Sequence, residues 1–140
     1  MRKAVLDSTV LVSAFLTKTG VSYQLLRQAE AGVFIVCVAD EILEEVAKVL
    51  QYARIRKKRL YTDEDIHKYI TLLGSIGKLI TPLPKLRAVI RDPNDDMIVA
   101  CAVKAKAEHI ITRDKDLLEL GRYRKIEIIS PEAYLALLRS

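Results

Sequence analysis

Short apolar runs alternate with amphipathic stretches along the whole chain, the pattern of strands separated by helices. Ala4, Val5 and Leu6 form a short strand that stops at the carboxylate Asp7. The apolar residues 10–16 form a buried turn or helix. Ser22 is placed to cap a helix over 23–31, with Leu25, Leu26 and Ala29 at helical spacing and Gly32 at its end. Residues 33–38 are continuously apolar, β-branched or aromatic, as in a strand covered on both faces. Asp40 caps the next helix, over 41–51. Its apolar stripe is Ile42, Leu43, Val46, Val49 and Leu50, and Glu45 lies beside that stripe rather than opposite it.

The second half continues the alternation. Thr62 with Asp65 is a capping-box pattern that opens a helix whose inward face is Ile66, Tyr69, Ile70, Leu73 and Ile76, closed by Gly77. Residues 79–81 are a short strand that Pro82 and Pro84 prevent from extending. Asp92 and Pro93 are an N-cap and first helical residue for a helix over 95–107, whose alanines permit close packing on a sheet. Residues 109–112 form the next strand, Asp114 caps a short helix ended by Gly121, and 126–129 are the last strand. Ser130 and Pro131 open the terminal helix. Strands and helices that alternate throughout predict an α/β fold, a three-layer α/β/α domain with a central parallel sheet. With no repeat, low-complexity tract or linker, residues 1–140 are expected to form a single domain.

Composition narrows the class. No apolar run is long enough to span a bilayer. The carboxylate at Asp7 comes too early for a signal peptide, so a cytoplasmic protein with no membrane partner is expected. Cys37, Cys101, His67 and His109 are too far apart to make a zinc pattern, and both cysteines sit in apolar runs as buried thiols. The net charge of +5 permits a polyanionic partner.

The chemistry lies in the acids. In a parallel sheet with right-handed crossovers, each helix starts at the edge where the preceding strand ended, and ligands bind there. Asp7 ends the first strand, Asp114 follows the strand over 109–112, and Asp96 opens a helix at the same edge. Glu45 lies just over one turn into its helix. Capping accounts for Asp92 and Asp95 but not for Asp96. Taken singly, Asp7 and Asp114 also have plain roles as caps, Glu45 as a half-exposed helix acid and Asp116 as a first-turn acid. Four acids from four segments at one edge favour a shared cation, and carboxylates without histidine select Mg²⁺ or Mn²⁺. Such an ion would serve phosphodiester hydrolysis. Ser8, Thr9 and Thr112 are hydroxyls beside these acids. Arg54, Arg56, Lys57, Lys58 and Arg59 are either a solvated helix end or a source of RNA phosphate contacts, with Tyr52 and Tyr61 placed to stack on bases or to pack.

These segments together resemble the PIN-domain nucleases, most closely the toxins of VapBC-type toxin–antitoxin systems. The resemblance rests on residues 5–14, 42–50, 91–96 and 111–118, and on the junction 129–132. It implies a metal-dependent endoribonuclease acting on single-stranded RNA, with catalytic acids at Asp7, Glu45, Asp96 and Asp114. Of these, Asp7, Asp96 and Asp114 would hold the metal. Asp95 is implied as an additional member, and Thr9, Thr112 and Asp116 are further candidates. It also implies a homodimer and an antitoxin protein that blocks the site. The chain departs from the family pattern at Thr9, where Asn is usual, and at Ala39, where Ser is common. The Thr9 substitution motivates an alternative, a non-catalytic PIN-like module for RNA binding or assembly. A phosphotransfer receiver ranks below both, because Asp114 stands where a receiver needs lysine.

Overall fold

The computed structural model describes residues 1–85 and 93–140, with residues 93 and 94 by backbone alone. Its strands are β1 (Lys3–Leu6), β2 (Ile35–Val38), β3 (Lys78–Leu79), β4 (His109–Ile111), β5 (Arg122–Tyr123) and β6 (Ile126–Ile129). The helices are α1 (Ser8–Leu16), α2 (Val21–Glu30), α3 (Asp40–Leu50), α4 (Ala53–Arg56), α5 (Asp63–Ile76), α6 (Pro93–Ala105), α7 (Lys115–Leu120) and α8 (Pro131–Arg139). Among the described residues the strands make one sheet in the order β3-β2-β1-β4-β6-β5. Every pairing is parallel except that of β5 with β6.

Successive strand residues point to opposite faces, yet Ala4, Val5 and Leu6 are all buried, as are Val36, Cys37 and Val38. Both faces of the central strands are therefore covered. Helix α6 packs on β1, β2 and β4, α5 on β2 and β3, and α7 on β6. Helix α1 packs on α2 and α3. The expected α/β architecture holds, with a mostly parallel sheet flanked by helices and an antiparallel edge in place of a wholly parallel one. No helix of the described residues is long and apolar enough to cross a membrane.

Several boundaries differ from the sequence expectation for identifiable reasons. Strand β2 begins at Ile35 rather than Val33, because Gly32 (φ +82°) turns the chain and Val33 N–H donates to Gln28 O at 2.9 Å. With Gly32 N–H donating to Ala29 O at 3.0 Å, this is a Schellman closure of α2 that claims Val33 for the helix end. Gly20, not Ser22, holds the cap position of α2, and Ser22 is buried within the first turn. Asp40 is the first residue of α3 and Ala39 its cap, so Asp40 acts through the helix dipole. Helix α6 ends at Ala105, where Lys106 turns left-handed (φ 57°) and Ala107 N–H closes on Ala102 O. The expected cap at Asp92 lies outside the described residues. The Thr62–Asp65 capping box and the Ser130 cap with Pro131 behind it form as expected.

The register at the sheet's C-terminal edge brings two polar side chains together. Val5 pairs with Ile110 and Leu6 with Ile111. The ladder runs one residue further, with Asp7 N–H donating to Ile111 O and Thr112 N–H to Ile129 O, both at 3.0 Å. Asp7 and Thr112 thus emerge side by side. The chain leaves β1 toward β2 on one side and returns as β4 on the other, so they stand at the point where strand order reverses.

Candidate active site

Asp7 is 4% exposed and is held from several directions. Its Oδ2 accepts from Thr112 Oγ1 at 2.7 Å and from Thr9 Oγ1 at 3.1 Å. Its Oδ1 accepts from Ser8 Oγ at 3.3 Å and from Thr9 N–H at 3.4 Å. Asp7 therefore does cap α1, but capping uses a fraction of its bonds. Thr112 Oγ1 also accepts from Asp114 N–H at 2.9 Å, so its own proton is committed to Asp7 and the hydroxyl bridges the two acids.

These residues open onto a cleft of about 460 Å³ lined by Asp7, Ser8, Thr9, Glu45, Asp95, Asp114, Arg54 and Arg113, with Val12, Val49 and Ile55 as apolar wall. Carboxylates from four separate segments thus share one cavity. Glu45 reaches it because α3, which leaves β2, packs on α1. Asp114 holds the cap position of α7 yet makes no capping bond, so the plain reading of that residue falls away. Its Oδ2 is buried without a hydrogen-bond partner among the described residues. At the start of α6 it is Asp95, 7% exposed, that lines the cleft. Asp96 is half-buried and outside the lining. Asp116 is exposed on the first turn of α7 and lies off the cleft. Among the described residues, no group of three acidic, histidine or cysteine side chains could hold an ion as it stands.

The basic run divides in two. Arg54 lines the cleft, with its guanidinium 5.5 Å from the Tyr52 ring, and Lys58 lines an adjoining hollow with Thr9 and Ile55. Arg56 is committed to Asp63 and the Tyr61 ring, and Arg59 to the Phe15 carbonyl and ring. Lys57 is exposed. Tyr61 cannot stack on bases, since it is buried and its hydroxyl donates to the Leu50 carbonyl. Burial raises its pKa, with Arg56 and Arg59 opposing.

Arg113 is the cleft residue that sequence reasoning passed over. Its Nη1 and Nη2 donate to Glu132 Oε1 and Oε2 at 2.9 and 2.6 Å, and the guanidinium hydrogen bond holds the Glu132 carboxyl below its ordinary range. The only signal available was a cation next to Asp114. The cysteines stay out of the chemistry: both are buried, and desolvation pushes the Cys101 thiol up to about 12.

An acidic cleft at the reversal point of a mostly parallel sheet places the chain among α/β proteins that work at the strand ends. The family model of the PIN domain matches residues 3–116, and the chain belongs to the PIN-domain family, whose members are generally nucleases. A chain from the crystal structure of VapBC2 from Rickettsia felis, bound to a DNA fragment from their promoter, shares the fold. It aligns with a TM-score of 0.59 at 15% identity, over 91% of this chain and 98% of that one. No curated protein matches the sequence.

Proposed function

We propose that this PIN-domain protein is a Mg²⁺- or Mn²⁺-dependent endoribonuclease that cleaves single-stranded RNA, and that it is the toxin of a toxin–antitoxin pair. The observation that carries this reading is the meeting of Asp7, Glu45, Asp95 and Asp114 in one cleft. The donor set fits a hard divalent cation, because it is all oxygen and includes Asp114 Oδ2, buried without a partner among the described residues. Asp7, Asp114 and an acid at the start of α6 would hold the ion; Asp96 is the family's matching position and Asp95 its neighbour on the cleft. An ion held there supplies Lewis-acid activation of water and neutralises charge developing on the phosphodiester.

The chain's own residues do the rest. Thr112, Thr9 and Ser8 fix the Asp7 carboxylate in one orientation, so little reorganisation is needed at the reaction. Glu45 adds an acceptor for water on the α3 side. Arg54 and Lys58 hold RNA phosphates that the acids alone would repel, with Lys57 further out. The VapBC2 structure pairs its fold with an antitoxin, which supports a similar protein partner here. A homodimer is part of the same proposal.

The test is cleavage of a mixed-sequence single-stranded RNA by the purified protein with Mn²⁺, with Mg²⁺ and with chelator. Cleavage should need metal and vanish in Asp7→Asn, which keeps the shape and an acceptor for Thr112. Comparing Asp95→Asn with Asp96→Asn identifies the acid from α6. One observation favours a second reading, a non-catalytic RNA-binding module: Thr9 stands where the family pattern usually has Asn. RNA affinity without metal-dependent cleavage would select it.

A further inference from the structure

We propose that Arg113, set by Glu132, contacts a substrate phosphate, and that with Arg54 it fixes the path of an RNA strand across the carboxylates. The proposal rests on the nuclease reading above. A cleft lined by four carboxylates repels a polyanion, and among the described lining residues the cations are Arg54 and Arg113. Arg54 sits on α4, just after the helix that leaves β2, and Arg113 lies two residues past the end of β4. Strands β2 and β4 flank β1, which Asp7 directly follows. The two guanidiniums therefore reach the acids from chain segments that follow the two strands flanking β1.

Glu132 explains how Arg113 stays on the rim. A free guanidinium would be drawn onto the neighbouring Asp114 and the other cleft acids. The two-point bond to Glu132, from the first turn of α8, holds it outside them. That pairing occupies one hydrogen on each Nη, leaving three N–H groups for an incoming phosphate. The side chain is 49% exposed, so a strand can reach it. Fixing the fork in advance also lowers the ordering cost of the contact. Arg56 and Arg59 show the contrast, since their guanidiniums are spent on Asp63 and the Phe15 carbonyl.

The experiment is steady-state cleavage with Mn²⁺, and separately the salt dependence of binding a fluorescent single-stranded RNA in chelator. Both use wild type, Arg113→Gln, Arg113→Lys and Glu132→Gln, each checked for a cooperative melt. Arg113→Gln should raise KM about tenfold, with kcat within about twofold. It should also flatten the slope of log affinity against log salt by about 0.7. Arg113→Lys should restore that slope but not the full KM, because the fork is lost. Glu132→Gln keeps the cation, so it should raise KM and leave the slope unchanged. An Arg113→Gln protein with wild-type KM and slope overturns the proposal while leaving the nuclease standing. A wild type that neither binds nor cleaves RNA overturns the nuclease reading, and this proposal with it.

Discussion

Thr112 is the residue on which the site's geometry turns. It is wholly buried, and its hydroxyl donates to Asp7 at 2.7 Å while accepting from Asp114 N–H at 2.9 Å. A buried hydroxyl satisfied in both directions links two acids that would otherwise move apart. Thr112→Val keeps the volume and removes both bonds, which leaves a carboxylate oxygen and a backbone N–H short of a partner. The expected cost is about 1–3 kcal/mol, read by urea unfolding, and cleavage should fall further than stability does. Thr112→Ser should recover most of each. A Thr112→Val protein as stable and active as wild type would show that Asp7 is held by Thr9 and Ser8 alone. The sequence put Thr112 beside these acids, but only the pairing of Leu6 with Ile111 reveals that it faces Asp7.

At the scale of elements, what could be read from sequence was what repeats. The run 33–38, the α3 stripe and the Thr62 capping box all gave elements close to those observed, because each carries a period or a paired signal. Helix α4 is a single turn and β5 has two residues, too short for either period to register. The choice between Asp95 and Asp96 is hard to read from sequence for a related reason. Neighbours on a helix differ by about 100° in direction, so a small rotation of α6 decides which one enters the cleft. Arg113 was missed because its partner, Glu132, lies 19 residues on in another element. Helix α5 offers a prediction on which local propensity and packing disagree. An added Cβ at Gly74 meets nothing within 4 Å, so Gly74→Ala should stabilise the protein by up to about 1 kcal/mol. At Gly77, where α5 turns into β3, a Cβ would lie 2.9 Å from Leu73 O and 3.0 Å from Val38 Cγ2. Gly77→Ala should therefore destabilise, and thermal melts of the two variants should move in opposite directions. Melts that shift the same way would mean that β2 and α5 separate more easily than their packing implies.

For the whole molecule, the core and the cleft make separate demands. The buried apolar residues run from β1 and β2 through α3, α5 and α6 without needing an ion, so chelator should leave the fold intact. The cleft pulls the other way, since carboxylates gathered at one edge repel one another and Asp114 Oδ2 is buried without a partner among the described residues. Function and stability are thus opposed at this edge, and a divalent cation would relieve the conflict by binding only the folded state. Two results are expected in one set of melts. Without metal, Asp114→Asn should melt above wild type, since one of the opposed charges is gone. With Mn²⁺ at about 100 times its Kd, wild type should gain about 2.7 kcal/mol, a rise of roughly 8 °C in Tm for a chain of this size. Asp114→Asn should gain far less. Equal shifts in the two proteins would mean that Mn²⁺ binds away from the cleft, and no shift in either would remove the metal from the proposed chemistry. The first outcome would leave an acidic cleft bordered by Arg54 and Arg113 whose role is to hold RNA rather than to cut it.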